Sequence, residues 1–138
     1  MKIGLIGAGR LGICLALLIE KAGYEVLASD NRIDYIKDLQ KGIIDTAEPE
    51  VQQYLSDAKN IEFTTDNIRV ISECDLIFTL VATPSLEDGS YDVSAVYKVI
   101  DDFKDIPILL DEKSLVIGCT TNPGDCNDFQ EALKDTGI

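Results

Sequence analysis

Apolar and polar positions along the chain fall into two alternating rhythms. Lys2 to Ile6 is a short apolar run suited to a buried strand, Arg10 to Ala22 carries a helical pattern closed by Gly23, and Glu25 to Ser29 is a second strand. A helix is predicted over 32–40, stopped by Gly42. Pro49 opens another, in which Val51, Tyr54, Leu55 and Ala58 fall at helical spacing. "IEFTT" (61–65) reads as a third strand, and Asp66 caps a brief helix running to Ser72. "DLIFTLVATP" (75–84) is nearly continuously apolar, as a strand covered on both faces should be. After a loop rich in Ser, Gly and Asp, Asp92 is placed to cap a helix carrying Val93, Val96, Tyr97 and Ile100. "SLVIG" (114–118) is the fifth strand, and residues 124–137 form a last helix with Gly137 as its terminal glycine. This order predicts a doubly wound α/β fold: a mainly parallel Rossmann-type sheet with helices on both faces.

The 138 residues suit one domain with its own core, and 46% hydrophobic with 27% charged residues is the balance of a soluble globular protein. There are 25 acids against 12 bases, a formal charge of −13, which opposes a nucleic-acid surface at long range. A small anionic ligand is less constrained, because the N–H groups of a helix N-terminus act locally. The chain has no histidine, so the commonest general base and metal ligand is missing, and no metal site is expected. Cys14, Cys74, Cys119 and Cys126 form no C-x-x-C pair and read as reduced thiols of a cytoplasmic protein. The apolar stretch "LGICLALLI" (11–19) is too short to span a bilayer, and the glycines before it account for it better than a signal peptide does.

Those glycines carry the first candidate chemistry. Gly7, Gly9 and Gly12 follow a predicted strand and open a predicted helix, and Asp30 lies at the end of the next strand. In a dinucleotide-binding turn the first glycine permits the tight bend, the second admits the pyrophosphate, and the third lets helix and strand pack closely. Asp30 would accept hydrogen bonds from the adenosine ribose and repel a 2′-phosphate, which favours NAD over NADP. Arg32 argues the other way, since an arginine near this strand end can bind that phosphate, unless it lies on the exposed face of the next helix. Arg10 and Leu11 sit beside the expected pyrophosphate position; Arg10 would either add a cation there or point into solvent. Leu15 and Leu18 read as core or interface positions. The bland alternative is a turn that only packs a helix on a strand, with an Asp that only caps one.

Two later segments follow strand ends, where ligands gather in an open α/β sheet: "VATPS" (81–85) and "CTTNPG" (119–124). Together with "KIGLIGAGRLG", "ASDNRIDYIKDLQKG", "EPE" (48–50) and "VATPSLEDGSYDVSAV" (81–96), they resemble the N-terminal domain of the UDP-glucose/GDP-mannose dehydrogenase family. The resemblance implies an NAD-dependent oxidoreductase that takes the C6 alcohol of a nucleotide sugar to a carboxylate in two hydride transfers. It implies that Gly7, Gly9, Gly12 and Asp30 hold NAD, that Thr83 lies beside the cofactor, and that Thr120 touches it and positions a catalytic water. The family's usual Ser-Thr pair is Cys119-Thr120 here, and Asp125 stands where a threonine often follows the glycine.

The family's nucleophilic cysteine, and the lysine and asparagine beside it, belong to segments after Ile138. The chain is therefore expected to be the N-terminal NAD-binding part of a longer enzyme. Alone it should be inactive, meeting its nucleotide-sugar substrate through a C-terminal region, and the parent could form a homo-oligomer. No nucleic-acid or membrane partner is expected. Two other readings share the glycine turn: a β-hydroxyacid dehydrogenase-type domain, and a non-catalytic dinucleotide-sensing module.

Overall fold

The computed structural model describes residues 1–106, 110 and 112–138. Five strands and six helices alternate: β1 (Lys2–Ile6), α1 (Arg10–Lys21), β2 (Glu25–Ser29), α2 (Ile33–Gln40), α3 (Val51–Asp57), β3 (Ile61–Thr64), α4 (Asn67–Glu73), β4 (Leu76–Thr79), α5 (Ser94–Lys104), β5 (Ser114–Ile117) and α6 (Asp125–Leu133). The sheet order is β3-β2-β1-β4-β5, and every pairing is parallel. Each of the five predicted strands is present, so the doubly wound α/β architecture read from the sequence is the fold.

Alternation along β1 builds the two layers. Ile3 and Leu5 join a core completed by Ile13 and Leu17 of α1, Ile36 and Leu39 of α2, and Leu55 of α3. Ile6 faces the other core, with Val70 and Ile71 of α4, Ile100 and Phe103 of α5, and Phe129 of α6. Tyr97 and Phe129 close that layer edge to face, with ring centroids 5.1 Å apart. Gly4 sets how near α4 can come: a Cβ there would lie 2.7 Å from Val70 Cγ1.

Helix ends follow local hydrogen bonding more closely than apolar spacing. Asp66 caps α4 as expected, its carboxylate accepting the Arg69 N–H at 3.1 Å. Asp92 accepts the Ser94 N–H at 2.9 Å, but the capping residue of α5 is Val93 and the helix starts one residue later than the spacing implied. The last helix stops at Leu133, short of Gly137, where Thr136 Oγ1 donates to the Leu133 carbonyl. Before α3, Glu50 adopts a left-handed conformation (φ 64°), the only non-glycine residue with positive φ among those described.

Strand order fixes where a ligand can enter. The chain leaves β1 toward β2 and β3, then crosses to the other side of β1 to lay down β4 and β5. Connections depart in opposite directions between β1 and β4, which opens a crevice at the carboxyl ends of those strands.

Candidate functional site: a cleft at the switch point

A cleft of about 890 Å³ lies at this crevice. Of the residues singled out from the sequence, Gly7, Gly9, Arg10, Leu11 and Asp30 line it, and so does Arg32. Gly12 lies beneath the turn. Thr83 and Thr120 sit in the loops after β4 and β5; neither lines the cleft, where Leu80, Val81 and Ala82 represent the β4 loop.

The three glycines are required for three different reasons. Gly7 has φ +101°, and a Cβ on it would lie 2.7 Å from the Leu80 carbonyl carbon and oxygen. Backbone conformation and space both exclude a side chain there. Gly12 is limited by space alone, because its Cβ would meet the Gly7 carbonyl oxygen at 2.0 Å. Gly9 has φ −65°, which any residue adopts, and its Cβ position opens into the cleft, with Arg32 Nη2 at 4.0 Å as the nearest atom. Positive φ is thus a demand of Gly7 and not of Gly9, whose bare backbone keeps the cleft floor open.

Helix α1 begins at that floor. Its first intrahelical bond runs from the Ile13 N–H to the Gly9 carbonyl at 2.9 Å, so the N–H groups of Arg10, Leu11 and Gly12 precede the helical ladder. No acidic side chain occupies the first turn, which leaves the positive end of the helix dipole unopposed there. The preceding turn is rigid. Gly7 and Ala8 both donate to the Ser29 carbonyl, at 2.8 and 2.9 Å, and Tyr35 Oη donates to the Ala8 carbonyl at 2.9 Å.

Leu80 ties this turn to the later loops. Its N–H donates to the Ile6 carbonyl at 2.8 Å, and its backbone faces Gly7. Its Cδ1 lies 3.8 Å from the Gly12 Cβ position, while Cδ2 fills the space a Cβ on Gly118 would need. The apolar run beginning at Asp75 thus leaves the sheet at Thr79, and its continuation becomes cleft wall.

Asp30 stands at the end of β2 with only 9% of its surface exposed. Its Oδ1 accepts the Arg32 backbone N–H at 3.0 Å and Nε at 2.8 Å, and Oδ2 accepts Nη2 at 2.9 Å. Burial alone would raise the Asp30 pKa, but the Arg32 hydrogen bonds and charge outweigh it and hold the carboxyl below its ordinary value. Arg32 is the capping residue of α2; its guanidinium folds back onto Asp30 and lies 4.0 Å over the Tyr35 ring. Arg10 is 86% exposed at the rim, its Nε 4.0 Å from Glu48 of the "EPE" segment.

Two other lining residues, Asn67 and Asp102, carried no recognisable sequence signal and are joined to the buried Ser29. Ser29 Oγ donates to Asn67 Oδ1 at 2.7 Å, and Asn67 Nδ2 donates to Asp102 Oδ2 at 2.8 Å. This chain of bonds joins β2, α4 and α5 along one wall, where Lys98 also lies. Beyond β5, Cys119 Sγ donates to the Thr79 carbonyl at 3.2 Å, Asn122 bridges to Tyr91 and Asp125, and Thr120 is exposed. Burial raises the Cys119 pKa, and all four cysteines are free. No helix among the described residues is long and apolar enough to cross a membrane.

Comparison with known proteins agrees with this geometry. UDP-glucose 6-dehydrogenase of Rickettsia prowazekii is 31% identical over 141 aligned residues, which take in 100% of this chain and 32% of that protein. Among solved structures, UDP-D-ManNAc dehydrogenase from Pyrococcus horikoshii superposes with a TM-score of 0.87 at 22% identity, covering 99% of this chain and 32% of its own. GDP-mannose dehydrogenase from Pseudomonas aeruginosa gives 0.86, also at 22% identity, over 100% of this chain and 33% of its own. The chain spans about a third of the length of the curated relatives it matches. Residues 1–137 match the family described as UDP-glucose/GDP-mannose dehydrogenase, NAD binding domain. The chain therefore belongs to the UDP-glucose/GDP-mannose dehydrogenase family, as its NAD-binding domain.

Proposed function

We propose that the cleft binds NAD, in preference to NADP, as the cofactor domain of a nucleotide-sugar 6-dehydrogenase acting in the cytoplasm. The observation that carries this reading is Gly9. Its missing side chain opens the cleft floor beside the free N–H groups of a 12-residue helix, the arrangement a pyrophosphate needs. Asp30, at the end of β2, is placed to accept the adenosine ribose hydroxyls. NAD, when bound, supplies the hydride acceptor. Thr83 and Thr120 lie on the loops that would border its reactive end, with Thr120 as the residue to place a water.

The parent enzyme would oxidise the C6 alcohol of a nucleotide sugar to a carboxylate, using two NAD. That reaction needs a base for the hydroxyl proton and a nucleophile to hold the aldehyde. The chain has no histidine, burial keeps the Cys14, Cys74 and Cys119 thiols above their ordinary pKa, and the exposed Cys126 does not line the cleft. These groups are thus assigned to a substrate region beyond residue 138, and the 138 residues should bind cofactor without turnover. The β-hydroxyacid and sensor readings share the glycine turn, but the family match over residues 1–137 favours the nucleotide-sugar dehydrogenase reading over both.

Titration with NADH, followed by nicotinamide fluorescence, tests the assignment. Gly9→Val keeps an allowed backbone (φ −65°) but puts a branched side chain where phosphate would lie. Losing about two charge-assisted hydrogen bonds should weaken binding by about 3 kcal/mol, over a hundredfold, with the melting curve little changed. Unaltered NADH affinity in this variant would make the glycine turn purely structural.

A further inference from the structure

We propose that Arg32 is a specificity-determining residue of the adenosine end of the cleft: a retractable partner that occupies Asp30 in the free domain and narrows the preference for NAD over NADP. The inference rests on the reading of the cleft as a dinucleotide site.

Counting lone pairs on Asp30 shows why Arg32 cannot be neutral in binding. A carboxylate offers about four acceptor positions. Three are taken by Arg32, through its backbone N–H and Nε on Oδ1 and Nη2 on Oδ2. One position is left for a ribose diol that presents two hydroxyls. Accepting both requires the side chain to withdraw, while the backbone bond can stay because it belongs to the turn into α2. Arg32 thus competes with the ribose of NAD for the same oxygens.

The guanidinium is free to withdraw without leaving the site. Its side chain is 54% exposed, and it rests on the Tyr35 ring, which the hydrogen bond to the Ala8 carbonyl holds against the glycine turn. From that pad, Nη2 is 4.0 Å from the Gly9 Cβ position, so the cation lies between the phosphate floor and the ribose acceptor. A planar guanidinium there matches the oxygens of a 2′-phosphate. While it remains paired, it also cancels the Asp30 charge that would repel that phosphate. Competition weakens NAD, and charge cancellation with phosphate contact strengthens NADP, so both effects narrow the same ratio.

Fluorescence titrations of the 138-residue chain with NADH and NADPH, at low and fixed ionic strength, test this with Arg32→Ala and Arg32→Gln. Removing the charge should tighten NADH about threefold to tenfold and weaken NADPH by about tenfold. Arg32→Gln keeps most of the stem on Tyr35 and should show the same divergence if Arg32→Ala fails to fold. A residue that merely holds the start of α2 would move both cofactors together. A common shift of NADH and NADPH, or weaker NADH binding in Arg32→Gln, would overturn the role of Arg32 and leave the cleft assignment standing. Absence of any dinucleotide binding by the unmodified chain would overturn the cleft assignment, and this inference with it.

Discussion

Replacing Gly12 with alanine should unfold the domain more easily, although alanine is the better helix former. The substitution gains about 1 kcal/mol of helix propensity. Against this, the new methyl would lie 2.0 Å from the Gly7 carbonyl oxygen and 3.0 Å from its carbon, whereas ordinary contact begins at 3.4 Å. Neither atom can give way. Gly7 is held by its bond to the Ser29 carbonyl at 2.8 Å and has the Leu80 backbone on its other side. α1 must therefore move away from the sheet by about an ångström, loosening Ile13, Ala16 and Leu17, which are almost fully buried. Overpacking of this kind costs about 1–3 kcal/mol and sometimes more. With the clash at the severe end, the net loss should be about 2 kcal/mol, a melting temperature lower by about 8 °C.

Gly9→Ala supplies the matched comparison, because no atom lies nearer than 4.0 Å to its added methyl. Its weaker helix cap and its stiffer unfolded chain offset one another, so the melting temperature should stay within about 2 °C. Circular-dichroism melts of the two variants and the unmodified chain would decide it. Equal melting of Gly12→Ala and the unmodified chain, or greater destabilisation by Gly9→Ala, would refute the division of labour between these glycines.

Two further outcomes are expected from side chains outside the cleft. Cys126 is exposed, whereas burial pushes the Cys74 thiol up to about 11 and raises Cys14 and Cys119. Iodoacetamide at pH 8 should therefore modify Cys126 first, as read by peptide mass, and early labelling of Cys74 would contradict its placement. Glu73 accepts hydrogen bonds from Arg69 and Lys2, which lower its pKa from an ordinary 4.5 to about 2. The native state then holds its proton less tightly than the unfolded state, so this stabilisation is complete above pH 4.5 and lost as pH falls toward 2. Urea melts of Glu73→Gln should show a deficit at pH 7 that shrinks through that window; a deficit independent of pH would rule out the ion pairs as its source.

The β1-α1-β2 unit was legible because three separate signals coincided: a short apolar run, glycines spaced for a turn, and helical periodicity closed by Gly23. β4 shows where such signals stop. Residues 75–84 are apolar almost throughout, yet the strand is only Leu76–Thr79, because cleft walls are built from the same residue types as sheet cores. Apolar composition cannot distinguish Phe78 inside the sheet from Val81 at the cleft. Asp30 was legible from its distance to the glycines, but the return of Arg32 onto it depends on a side-chain rotamer and on the Tyr35 ring beneath. The Ser29–Asn67–Asp102 chain left no trace in the sequence, since its members come from three elements far apart along the chain.

Leu80 has a consequence for how the domain meets its ligand. One residue abuts Gly7 with its backbone and reaches toward Gly12 and Gly118 with its two methyl groups, so the glycine turn, the start of α1 and the end of β5 cannot shift independently. The floor of the cleft is ordered when the chain folds, and association need not restrict it further. Amide hydrogen exchange at Gly7, Leu80 and Gly118 should accordingly be slow in the free domain and change little when cofactor is added. The entropy lost on binding then falls on rim side chains such as Arg10 and Arg32, and the backbone beneath them behaves as a single inelastic frame.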